Sequence, residues 1–244
     1  MGIYDSELLE LAAKMDMQKD ISIIYEDNHL LVVEKPANIP VQADISKDPD
    51  LLSMLKIYLK EKYKKPGNVY LGLVHRLDRP VGGVMVFAKT SKAASRLSEQ
   101  VRSREIEKIY LAVTEGSFGS RSGTYKNFML KDRNRNKAAI VPEGIPKSYE
   151  AVLQYDVIEE RNNMTLVRIN LKTGRSHQIR AQLSYNGHPI VGDVKYGRAK
   201  QSGFTDNLAL WSYQLSFRHP VKDETMSFTS APPGCYPWVL FSLT

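Results

Sequence analysis

The chain has 244 residues, 42% of them hydrophobic, enough to bury a sizeable core. Its net charge of +7 favours a polyanionic partner, and its single cysteine, Cys235, excludes a disulfide framework or a cysteine-based zinc site. Apolar runs are short and broken by charge, and no export signal opens the chain, so a cytoplasmic protein without membrane attachment is expected.

Residues 1–19 carry Leu8, Leu9, Ala12 and Met15 at helical spacing and are read as an N-terminal helical arm preceding one domain over 20–244. Two short patterns, "MGIYDS" for N-myristoylation and Asn163-Met164-Thr165 for glycosylation, are of a length that arises by chance. "ISIIYEDNHLLVVEKP" predicts a hairpin turning at 26–29 and ending at Pro36. "DPDLLSMLKIYLKEKY" puts Leu51, Leu55, Tyr58 and Leu59 on one helical face, with Asp48 or Asp50 as cap and Lys64-Lys65-Pro66-Gly67 as breaker. Strands are predicted over 70–74 and 84–88, then a helix in "TSKAASRLSEQVRS" capped by Thr90 or Ser91, then a strand in "EKIYLAVTEG". Residues 117–147 are polar and basic and read as loops or an irregular hairpin. "SYEAVLQYDVIEE" and "NMTLVRINL" are strands joined by a turn at Arg161-Asn162-Asn163. "TGRSHQIRAQLSYNG" predicts a helix opening after Thr173-Gly174 and closing at Asn186-Gly187, and "NLALWSYQLSF" and "ETMSFT" are the last strands. Strands on short turns, with helices interspersed without βαβ alternation, predict an α+β fold with a mixed, largely antiparallel sheet flanked by helices.

Between the strands at 70–74 and 84–88 lies "VHRLDRPVGG", a dense group of charges followed by two glycines. By itself this is a turn with local ion pairing or a catalytic loop, and the residues of the loop leave both open. Likewise Tyr110 by itself reads as a core tyrosine, and His177 and Arg180 as ordinary helix residues.

Three segments occurring in one order decide the matter. His75-Arg76-Leu77-Asp78, "KIYLA" (108–112) and "TGRSHQIR" (173–180) resemble the motifs of the RluA family of pseudouridine synthases, as do "VEKPANIPVQ" upstream and "NGHPIVGDVKYG" downstream. The resemblance covers roughly residues 22 to 230. It implies a sheet with a central catalytic cleft, Asp78 as the catalytic carboxylate, Arg180 as its counter-charge and Tyr110 packed on the uracil. The remaining polar residues of the motifs, His75, Arg76, Arg79, Lys108, Arg175, His177 and Gln178, are the candidates for RNA contacts. The family has Thr-Ser-Gly or Thr-Gly-Gly after the aspartate loop, whereas this chain has Val81-Gly82-Gly83. Its S4 module is not expected in the 21 residues before the first matching strand.

The chemistry suits these residue types. Isomerising uridine breaks an N-glycosidic bond, turns the base and forms a C–C bond without redox change, so one carboxylate can serve and no cofactor or metal is expected. The base must leave its stack, at a cost that phosphate contacts to a basic surface offset. The expected partner is ribosomal or transfer RNA offering a uridine in a structured stem-loop, and the expected state a monomer. A non-catalytic RNA-binding relative is the alternative. A glycosidase would pair two carboxylates across the bond, and the loop offers one.

Overall fold

The hairpin expected at 26–29 forms as β1 (Ser22–Glu26) and β2 (Leu30–Lys35), paired antiparallel, in a computed structural model that describes residues 21–132, 134–197 and 207–242. The N-terminal arm expected over 1–19 therefore lies outside the described residues, as do the basic residues Arg133, Arg198 and Lys200. The chain divides into two compact units. One comprises the described residues up to Glu105 with Phe217–Phe228, the other Ile106–Ser216 and the segment from Thr229 on.

In the first unit β2 pairs antiparallel with β4 (Gly82–Ala88), which also takes the two-residue β3 (Gly72–Leu73). Every residue of β4 is buried, which explains its unbroken apolar run. The strand expected over 70–74 shrinks to β3, where a Cβ at Gly72 would meet the Ala94 side chain at 2.9 Å. Helices α1 (Leu51–Lys62) and α2 (Ser91–Arg102) start where capping chemistry predicts. Asp50 accepts from the Ser53 N–H and Thr90 from the Ala93 N–H, each meeting an otherwise orphaned donor. The 217–228 segment is fastened here by the Gln100 amide, bonded to both backbone groups of Arg218, and by His219 Nε2 against Asp27 Oδ2 at 2.9 Å.

In the second unit the strand order is β10 (Leu210–Arg218), β5 (Glu107–Glu115), β9 (Met164–Leu171), β8 (Tyr149–Arg161), β6 (Ser122–Asp132) and β7 (Lys137–Val141), each pair antiparallel. Asn162 and Asn163 both take positive φ, 53° and 56°, as a two-residue hairpin between β8 and β9 requires. The polar 117–147 stretch is more regular than expected. Ladder hydrogen bonds order β6 and β7 although few of their side chains are buried, so the hydrophobic pattern is weak there. Helix α3 (Gln178–Tyr185) starts later than predicted, because His177 adopts the left-handed conformation at φ 54° and 174–177 form a loop. In the first unit the last strand, β11 (Thr225–Thr229), sets Phe228 against Tyr25 and Phe217. These elements form an α+β fold built on antiparallel pairing.

Candidate active site

Asp78 sits half-buried in a tight turn, its carbonyl accepting from the Val81 N–H at 3.0 Å. The turn is held from below by Lys35, the last residue of β2, opposite Gly83 in the ladder and fully buried. Its ammonium donates to the carbonyls of Pro36, Arg79 and Val81 at 2.9, 3.0 and 2.7 Å. Two of these acceptors, Arg79 and Val81, follow Asp78 in sequence, so the backbone leaving the aspartate is clamped to the sheet. Burial lowers the Lys35 pKa from 10.5 to about 7, the Asp78 charge opposing this by favouring the ammonium and Arg79 adding to it.

The other polar residues of the loop divide by placement. His75 Nε2 accepts from the Val86 N–H at 3.1 Å, tying the loop to β4. Arg79 reaches across to the 38–48 segment, donating to Asn38 O at 3.0 Å, Ser46 Oγ at 3.2 Å and Asp48 Oδ2 at 2.6 Å. Arg76 is exposed and has no hydrogen-bond or ion-pair partner among the described residues. Val81 is 2% exposed, and its backbone shapes the turn, the carbonyl accepting from Lys35 and the N–H donating to Asp78 O.

In the second unit β5 carries Lys108 and Tyr110, and Tyr110 is buried in register with Ile169 of β9 and Ser212 of β10. Because β9 runs straight into the Thr173-Gly174-Arg175 turn, the two motifs meet in space. A Cβ at Gly174 would lie 3.8 Å from Lys108 Nζ. That amine has no hydrogen-bond or ion-pair partner among the described residues, and burial lowers its pKa.

The turn is closed from inside by Gln178, whose Oε1 accepts from Thr173 Oγ1 and the Arg175 N–H at 2.7 and 3.0 Å, and whose amide donates to Gln182. His177 Nδ1 lies 3.0 Å from the Tyr196 hydroxyl. Arg175 donates to Glu150 O and lies over the Tyr149 ring at 5.1 Å. Arg180 is 3% exposed and makes a two-point contact with Asp193, Nε to Oδ2 at 2.8 Å and Nη2 to Oδ1 at 2.7 Å. Asp193 Oδ1 also accepts from the N–H groups of Lys195 and Tyr196. Burial would raise the Asp193 carboxyl, but the guanidinium and these N–H donors outweigh it and hold it below the usual carboxylate range.

Sequence reasoning singled out neither Lys35 nor Asp193 as site residues. Both stand in stretches that carry the resemblance, "VEKPANIPVQ" and "NGHPIVGDVKYG", which was the available signal. Gln178 and His177, read as RNA contacts, are buried and bonded within the protein.

The model of the family described as RNA pseudouridylate synthase matches residues 29–185. The chain is 31% identical to ribosomal large subunit pseudouridine synthase C of Buchnera aphidicola subsp. Baizongia pistaciae, over 96% of this chain and 74% of that protein. It is 34% identical to ribosomal large subunit pseudouridine synthase D of Zymomonas mobilis subsp. mobilis, over 87% of this chain and 69% of that protein. Among solved structures, human RNA pseudouridylate synthase domain containing 4 superposes with a TM-score of 0.75 at 25% identity, covering 95% of this chain and 94% of that one.

Proposed function

The chain belongs to the RNA pseudouridylate synthase family, and from that premise we propose that it isomerises specific uridines of large-subunit ribosomal RNA, in the cytoplasm and as a monomer, with Asp78 as the catalytic residue. The relatives named for the large ribosomal subunit favour that RNA over transfer RNA. No helix among the described residues is long and apolar enough to cross a membrane.

The reaction is balanced within the substrate. The N1–C1′ bond breaks, the uracil turns, a C5–C1′ bond forms, and the proton on C5 leaves as N1 gains one. Asp78 acts on the ring, on the sugar carbon or on a sugar proton; a carboxylate serves each route. Tyr110 lies against the uracil and Arg180 holds the negative charge of the site in check. Arg76, the uncompensated cation of the loop, meets the RNA. His75, Arg79, His177 and Gln178 hold the loops that carry these groups. The observation that carries the assignment is the clamp of Lys35 on the aspartate turn: a fully buried lysine holds the backbone that leaves the one carboxylate of the loop.

The test is pseudouridine mapping of ribosomal RNA from cells lacking the gene, complemented with wild type or with Asp78→Asn. One or more sites should disappear on deletion, return with wild type and stay absent with the variant, whose purified form should lose more than about a thousandfold in turnover while keeping its RNA affinity. Return of the sites with Asp78→Asn would remove Asp78 from its role.

A further inference from the structure

A groove of about 760 Å³ opens in the second unit between the β6–β7 hairpin, the start of β8 and the Gly174–Ser176 turn. Its floor is apolar, with Met129 and Ala138 buried. Lys131, Lys147 and Arg175 line it, with no acidic residue in the lining among the described residues. Tyr149 stands in it 59% exposed, so its ring is open to a ligand in the groove. The guanidinium of Arg175 lies over that ring. At the Gly174 end lies Lys108, the partly buried amine without a carboxylate partner among the described residues. An apolar floor, an exposed aromatic ring and several uncompensated cations are the chemistry that holds unpaired nucleotides, the ring taking a base and the cations taking phosphates.

We propose that this groove binds an unpaired nucleotide of the RNA flanking the target uridine, with its base on Tyr149 and its phosphates at Lys131, Lys147 and Arg175. The proposal rests on the chain acting on RNA, and it deepens that reading by locating where the substrate strand runs beyond the reacting base. Choice of RNA then depends partly on whether a site can offer a splayed-out neighbour.

The experiment measures binding of fluorescein-labelled hexauridylate by anisotropy across a salt series, with pseudouridine formation by wild type on ribosomal RNA from the deletion strain measured alongside. Lys131→Gln combined with Lys147→Gln should flatten the log–log salt slope by about 1.4, two phosphate contacts at roughly 0.7 each. Tyr149→Ala should weaken binding about fivefold or more at every salt concentration without changing the slope, and Tyr149→Phe should bind as wild type does. If the lysine pair matters and Tyr149→Ala binds normally, the groove is a charged rim and the proposal fails. Displacement of hexauridylate by equimolar hexaglutamate would mark an acidic-peptide site and overturn it too. Wild type that forms pseudouridine while all the variants bind unchanged sinks the groove alone. Wild type that forms none while the variants lose affinity as expected sinks the catalytic reading and keeps the groove.

Discussion

Arg180 presents Nε and Nη2 to the two carboxylate oxygens of Asp193 at 2.8 and 2.7 Å, and both side chains are buried, 4% and 0% exposed. An arginine on the first turn of a helix is thus fixed by a carboxylate thirteen positions downstream, in a loop. Rigid placement of a guanidinium is what charge stabilisation at a reacting centre needs, because a fixed charge does not reorganise during the reaction.

Asp193→Asn removes the Asp193 charge from beside the buried guanidinium and keeps one acceptor oxygen, and breaking a buried pair costs about 3–5 kcal/mol. Urea unfolding at neutral pH should show a loss of that order. The Asp193 carboxyl is held low in the folded state, so its contribution is complete above the ordinary value of 3.8 and is lost as pH falls below it. The wild-type stability curve should therefore drop more steeply below pH 4 than that of the variant. Parallel curves would mean that Asp193 adds nothing through its charge.

Arg180→Met tests the proposed role in chemistry separately from folding. Turnover should fall by about a hundredfold or more while RNA affinity changes little, a kcat effect rather than a KM effect. Arg180→Lys should recover only part of it, since an ammonium cannot make the planar two-point contact with Asp193. A methionine variant that is folded and turns over normally would show that Arg180 is structural alone.

Lys35→Met leaves the carbonyls of Pro36, Arg79 and Val81 without their donor in a buried place, which costs about 1–3 kcal/mol. The sign of its pH dependence follows from the lowered pKa. Between about 7 and 10.5 the unfolded chain holds a proton on Lys35 that the folded chain has released, so wild-type stability gains with rising pH in that window, by at most about 1.4 kcal/mol per unit. The deficit of the methionine variant should widen from pH 7 to pH 9. A constant deficit would show that Lys35 stays charged in the folded protein.

Pseudouridine formation on RNA whose fold is maintained by spermidine should survive excess EDTA, since the isomerisation needs a carboxylate and no redox step. Loss of activity that zinc alone restores would contradict this.

Several features were legible in the residues themselves because each depends on neighbours along the chain. The caps at Asp50 and Thr90 act within one helical turn, and the Asn162-Asn163 turn joins adjacent strands. The three motifs were readable for the same reason: His75 to Asp78, Lys108 to Ala112 and Thr173 to Arg180 are each contiguous, and their order carried the family. The β6–β7 pair was not legible, because ladder hydrogen bonds hold strands that bury little and so write no hydrophobic period. Nor was the late start of α3: a Thr173–Gln178–Arg175 knot and a left-handed His177 displace what the pattern offers as a first helical turn.

Charge alone marks Lys35 and Asp193 as surface residues, the ordinary fate of lysine and aspartate. Only tertiary structure made them internal. Lys35 finds Val81 across 46 positions through the β2–β4 ladder, and Asp193 finds Arg180 where a loop folds back on α3. A buried charge is tolerated only beside partners that replace its water, and which groups those are is settled by distance in space. The sequence therefore determined which contiguous motifs carry the family, and the fold decided which other residues hold them in place.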